Sequence, residues 1–151
     1  MPDHRDAAPI VREWVRKAEN DLVTAAHTLK LGAAAPTDTI CFHVQQCVEK
    51  YVKALLIAQG MDVPKSHNLV RLFDLLPVSL RPTLSIEDQV NITSYATDAR
   101  YPDLGEATLA EARRAVSLAR RVRREIRRRL PRAALVLRKP RGKKPRKSRL
   151  L

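Results

Sequence analysis

The sequence predicts an all-α protein, an up-and-down helical bundle of four long helices plus one short helix. Three observations carry this expectation. Apolar residues recur at spacings of three and four along most of the chain, and no segment alternates with the period of two that a half-buried strand requires. Hydrophobic residues make up 44% of the chain and aromatics only 4%, so the core must come from Leu, Val, Ile and Ala, which suits packed helices better than a sandwich. At 151 residues the chain has room for one domain that buries roughly two-thirds of its unfolded surface.

Residues 1–9, polar and punctuated by proline, are expected to form a disordered lead. The bundle then spans 10–130. Val11, Val15, Ala18, Leu22, Ala25 and Leu29 mark one face of a first helix ending at Gly32. Beyond Pro36, Thr37 or Asp38 can cap a second helix whose buried stripe is Ile40, Val44, Cys47, Tyr51, Leu55 and Ala58, with Gly60 as its stop. Ser66 is the expected cap of the short helix, which presents Leu69, Leu72, Phe73 and Leu76 before Pro77. Ser85, followed by Asp88, imitates a capping box and opens a fourth helix of about 14 residues running to Ala99. The last helix begins near Leu104, buries Leu109, Ala112, Val116, Ala119, Val122, Ile126 and Leu130, and ends at Pro131.

The formal charge of +13 is concentrated at one end. From Arg113 onward there are 18 lysines and arginines against the single Glu125, whereas the first 112 residues carry 11 basic against 15 acidic side chains. A mildly acidic body with a basic arm is the distribution expected of a protein that meets phosphate or another acidic surface. Residues 131–151, with nine basic residues, no acid and three prolines, are expected to be a disordered basic tail. Arg138, Lys139, Arg141, Lys143, Lys144, Arg146 and Lys147 are its candidate phosphate contacts. No aromatic residue follows Tyr101, so that arm would bind by charge alone, or else serve only as a solubilising extension.

Cys41 and Cys47 are six residues apart on one helix, about 600° around its axis, and so point to different sides as free thiols. No secretory or spanning segment is evident, so a cytoplasmic protein without membrane association is expected. Four glycines leave no phosphate-cradling loop, and the histidines lack ligand spacing, so neither a cofactor nor a metal is expected.

The polar strip of the second helix holds Gln46, Glu49, Lys50 and Lys53, with Glu49 and Lys53 in the favourable order for an ion pair on a solvated or interfacial face. The run FHVQQCVEKYVKALLIAQG, the later PKSHNLVRLFDLL and the ARYPD before the last helix together resemble the HEPN family over about residues 10–130. The resemblance implies a homodimeric helical bundle, often encoded beside a minimal nucleotidyltransferase, whose members serve as RNase toxins or nucleotide-binding modules. It also implies a test. Catalytic HEPN nucleases carry an Arg followed after four to six residues by a His, the His activating a 2′-hydroxyl and the Arg neutralising the phosphate in flight. Five to seven positions before His27, His43 and His67 stand no arginines, and the matching window after Arg100 reads Gly105, Glu106, Ala107. The usual nuclease pair is therefore absent, and the reading leans away from an enzyme.

Arg100, Tyr101 and Asp103 form a proline-containing junction that either meets nucleotide, with the Arg on phosphate and the Tyr on a base, or braces two helices. His67 either makes a structural hydrogen bond or joins Lys50 and Lys53 in a cleft. Glu49, Lys50, Lys53, His67, Arg100, Tyr101 and Asp103 are thus the candidate nucleotide or RNA contacts. The leading expectation is a homodimeric module for nucleotide or RNA, with the option of forming half of a toxin–antitoxin pair with a nucleotidyltransferase-like partner. One alternative is a metal-independent endoribonuclease using Arg100, His67 and Lys50; another is a structural adaptor that docks by its basic tail.

Overall fold

The computed structural model describes residues 7–97, 103 and 105–136, and every regular element among them is helical. The helices are α1 (Ala8–Leu29), α2 (Thr37–Ala58), α3 (Leu69–Leu75), α4 (Ile86–Ser94), α5 (Leu109–Arg129) and α6 (Arg132–Leu135). The all-α expectation holds, with two changes in length. The fourth helix has nine residues rather than about 14, and the expected stretch beyond it runs through a turn at Tyr95 into residues that are not described. The last helix starts at Leu109 rather than Leu104, where Thr108 and Glu111 close a reciprocal capping box that the helical periodicity did not reveal.

Both ends of the chain also differ from expectation. Ala8 and Pro9 belong to α1 rather than to a lead, with proline in the first turn, where a helix lacks an N–H acceptor anyway. The tail does not begin at 131: Arg132–Leu135 form α6, with Ala134 buried and the Ala133 carbonyl accepting from Arg12 Nη2 at 2.8 Å. Two caps move as well. Asn68, not Ser66, accepts the first N–H groups of α3, while neither Thr37 nor Asp38 caps α2. Asp38 instead accepts the Ala107 N–H at 2.9 Å, which ties the start of α2 to the approach of α5. Gly60 ends α2 as expected, at a φ of 75° that favours glycine.

The apolar faces of α1, α2 and α5 meet around Val15, Leu22, Val44, Leu55, Val116 and Ile126, and α3 and α4 close the remaining side with Leu72, Phe73 and Ile92. Tyr51 and Phe73 are the large aromatics in this core. α2 is its central rod, packed against α1, α3, α4 and α5, so polar side chains placed on it become internal unless they face outward between neighbours.

Candidate nucleic-acid interface

That central position divides the polar strip of α2 into an inner and an outer part. Glu49 and Lys53, expected on a solvated or interfacial face, are only 4% and 6% exposed. The Glu49 carboxylate accepts from Lys53 Nζ at 2.7 Å, Gln45 Nε2 at 2.6 Å and His67 Nδ1 at 2.9 Å. Burial opposes ionisation of Glu49, but the hydrogen bonds from Lys53, His67 and Gln45 outweigh it and hold the carboxyl below its ordinary value. Because an ionised carboxylate only accepts, the proton lies on His67 Nδ1 and Nε2 is left on the far side of a ring whose side chain is 69% exposed. Lys53 is committed to Glu49 and is unavailable to a ligand. His67 is not.

Lys50 does not join this group. Its Nζ donates to Asp21 of α1 at 2.5 Å, and Asp21 also takes His43 Nδ1 at 2.8 Å. A third carboxylate, Glu19, accepts from the Tyr51 hydroxyl and from Arg123 Nε, with Arg127 at 3.7 Å. Burial, and then the hydrogen bond to Glu19, push the Tyr51 phenol above its ordinary value. None of Asp21, Glu19, Gln45 and His43 was singled out from sequence. A signal was present for Asp21, which falls between Ala18 and Ala25 on the apolar stripe of α1, where an acid needs a partner.

Seven of the nine arginines of α5 fall into two sets, while Arg121 and Arg129 donate to the carbonyls of Thr83 and Glu125. Arg114 makes a two-pronged bond to Asp88, Nη1 to Oδ1 at 2.5 Å and Nη2 to Oδ2 at 3.0 Å, which holds that carboxyl below its ordinary value. Arg123 and Arg127 are drawn to Glu19. Arg113, Arg120, Arg124 and Arg128 are exposed and have no carboxylate partner among the described residues. Their spacings of seven, four and four put them on one face, a cationic ridge beside the exposed Val23 of α1. The tail arginines and lysines from Arg138 to Lys147, together with Arg100 and Tyr101, lie outside the described residues; Asp103 is described and exposed.

The thiols are separate and free. Burial, then the negative charges of Asp38 and Glu111, push Cys41 up to about 12, and burial raises Cys47 further. Native protein at neutral pH should therefore react with a disulfide thiol reagent far more slowly than a model thiol, and denatured protein should release two equivalents promptly. Prompt native labelling would contradict this placement.

Among the described residues no helix is long and apolar enough to cross a membrane, and no group of three or more His, Cys, Asp or Glu is placed to hold a metal ion. The model of the HEPN domain matches residues 11–129. The fold is similar to the crystal structure of TT1696 from Thermus thermophilus, with a TM-score of 0.67 and 28% identity over 80% of this chain and 98% of that one. It is also similar to ST0689, an archaeal HEPN homologue, with a TM-score of 0.60 and 26% identity over the same shares of the two chains. No curated protein matches the sequence.

Proposed function

The chain belongs to the HEPN domain family, and from that premise we propose that it binds RNA or nucleotide through phosphate contacts on the α5 ridge, as a homodimer with a nucleotidyltransferase-like protein as its toxin–antitoxin partner. The ridge carries this reading. Arg120 with Arg124, and Arg124 with Arg128, are like charges one helical turn apart, each pair costing about 0.2–0.5 kcal/mol when nothing intervenes. A polyphosphate backbone removes that repulsion and takes up the unpaired guanidinium donors. Since the ridge offers no aromatic platform, binding would be sequence-tolerant and steeply salt-dependent. The test is anisotropy of a labelled single-stranded RNA at two salt concentrations, with Arg120, Arg124 and Arg128 replaced together by Ala. Unchanged affinity in a folded variant sinks the reading.

A second reading, a metal-independent endoribonuclease, is favoured by the Glu49–His67 pair. The bond from Nδ1 to Glu49 orients the ring and leaves Nε2 as the nitrogen able to meet a 2′-hydroxyl. Lys50, held by Asp21, is less suited to share that work. Cleavage of RNA that survives chelator is expected to disappear in His67→Asn with little change in melting temperature. Turnover that persists in that variant would remove His67 from the chemistry.

A further inference from the structure

Beside the arginine ridge lies an open groove of 330 Å³ between α1 and α5. Its floor on α1 is aliphatic: Leu22, Val23 and Ala26 follow Glu19 at helical spacing, so all four share one face of that helix. Val23 is 64% exposed although it stands in this aliphatic strip. The wall on α5 is cationic, formed by Arg120, Arg123 and Arg124. Glu19 meets Arg123, and Arg12 reaches the Ala133 carbonyl, so α1 runs antiparallel to the chain passing from α5 into α6 and the groove follows both helices.

The charge of the groove does not cancel. Three guanidinium groups line it against the single carboxylate of Glu19, which already accepts from Tyr51 and Arg123. Lys30, at the C-cap of α1 and four positions beyond Ala26, extends the same face with a further cation. Phosphate contacts account for the arginines but not for the aliphatic floor. Bases would need an aromatic platform there, which the described lining lacks. An occupant that uses both walls must carry apolar groups and carboxylates side by side along one axis. An amphipathic helix does so, with apolar residues at i, i+3, i+4 and i+7 and acids on the flank. From Arg113 to Arg128 the ridge extends about 22 Å, the length of a helix of about four turns.

We propose that this groove docks an acidic amphipathic helix of a partner protein, its aliphatic residues on Leu22, Val23 and Ala26 and its carboxylates on Arg120 and Arg124, and that the docked helix excludes RNA from the ridge. The exclusion rests on the reading of the ridge as the RNA surface, whereas the docking rests on the groove alone. Arg120 and Arg124 belong to the groove and to the ridge at once, and a guanidinium held by a carboxylate is withdrawn from phosphate. The chain's own tail is the wrong occupant, because residues 131–151 contain no acid and would meet a wall of like charge. A second copy is a poorer one: its α4 exposes Ile86, Glu87 and Val90, but nine residues rise only about 14 Å.

The probe is a labelled synthetic peptide of about 16 residues with Leu at i, i+3, i+4 and i+7 and Glu on the flanking positions, titrated with the full chain and followed by anisotropy. It should bind saturably. A peptide of the same composition, reordered to break the apolar stripe, should bind at least about tenfold more weakly. Val23→Ser should weaken the ordered peptide by about tenfold and leave the affinity for single-stranded RNA unchanged, since phosphate makes no use of that side chain. Val23 is exposed, so its variant should melt as the parent does. Replacing Arg120 and Arg124 by Ala should weaken both ligands, and unlabelled peptide should displace labelled RNA. The proposal is overturned if the ordered peptide binds no more tightly than the reordered one, if Val23→Ser leaves its affinity intact, or if peptide and RNA occupy the chain together. Equal losses of peptide and RNA in Val23→Ser would give the floor to RNA and overturn it as well. Peptide affinity that falls as the protein concentration rises would assign the groove to a second copy, with the same result. Binding of the peptide that depends on Val23, in a chain that takes up no RNA, would support the docking and sink the ridge reading.

Discussion

Replacing Glu49 by Ala is expected to destabilise the bundle by about 3–5 kcal/mol, because it leaves the Lys53 ammonium buried without its counter-ion. The same change strips an acceptor from Gln45, which has no access to water. Thermal melting followed by circular dichroism should show a drop of roughly 10–15 °C. Changing Lys53 to Met at the same time should recover most of the loss, since a buried ion pair replaced by apolar packing is often neutral. If Glu49→Ala alone melts within a degree or two of the parent, the pair is not buried as described. Acid should reproduce part of the effect. The carboxyl of Glu49 lies lower in the fold than its ordinary 4.5, so its contribution is complete above that value and is lost as pH falls through the folded value. Asp88, held below its ordinary 3.8 by Arg114, adds a loss of the same sign at lower pH. Glu49→Gln should show a shallower decline of stability with acid below about pH 4.5.

The second large effect concerns RNA. Each phosphate contact on a single strand contributes about 0.7 to the slope of log affinity against log salt, so removing the guanidinium groups of Arg120, Arg124 and Arg128 should flatten that slope by about 2. Near 0.1 M salt this corresponds to roughly a hundredfold weaker binding. Stability should not fall in parallel, because none of the three has a carboxylate partner among the described residues and their mutual repulsion is relieved. Replacing Arg114, Arg123 and Arg127 instead should do the reverse, costing stability through Asp88, Glu19 and Tyr51 with less effect on the salt slope. Equal salt slopes for the two triple variants would mean that binding does not distinguish the ridge.

Helical periodicity made the core legible: Val11 to Ala25, Ile40 to Leu55 and Ala112 to Ile126 fall where their spacing places them. Boundaries were less so, since capping is settled by partners. Asn68 outcompetes Ser66, Asp38 is drawn to Ala107, and Thr108 with Glu111 fixes the start of α5. The site was legible only as residue types. Spacing places Glu49 and Lys53 one turn apart, but whether they face water depends on the helices packed around α2, a tertiary fact that periodicity does not contain. The arginines of α5 show the same limit: Arg123 and Arg124 are adjacent in sequence, one bound to Glu19 and the other without a partner among the described residues.

The Glu19 cluster has a kinetic side. One carboxylate accepts from Tyr51, 32 positions away, and from Arg123, 104 positions away. The first bond can form as soon as α1 and α2 meet across their short connection, whereas the second waits until the rest of the chain has returned. Until α5 docks, Glu19 stands on the hairpin as an anion with an arginine still to come. If α5 docks last, loss of Glu19 is expected to slow that step more than the formation of the α1–α2 hairpin, which stopped-flow refolding of Glu19→Ala would check.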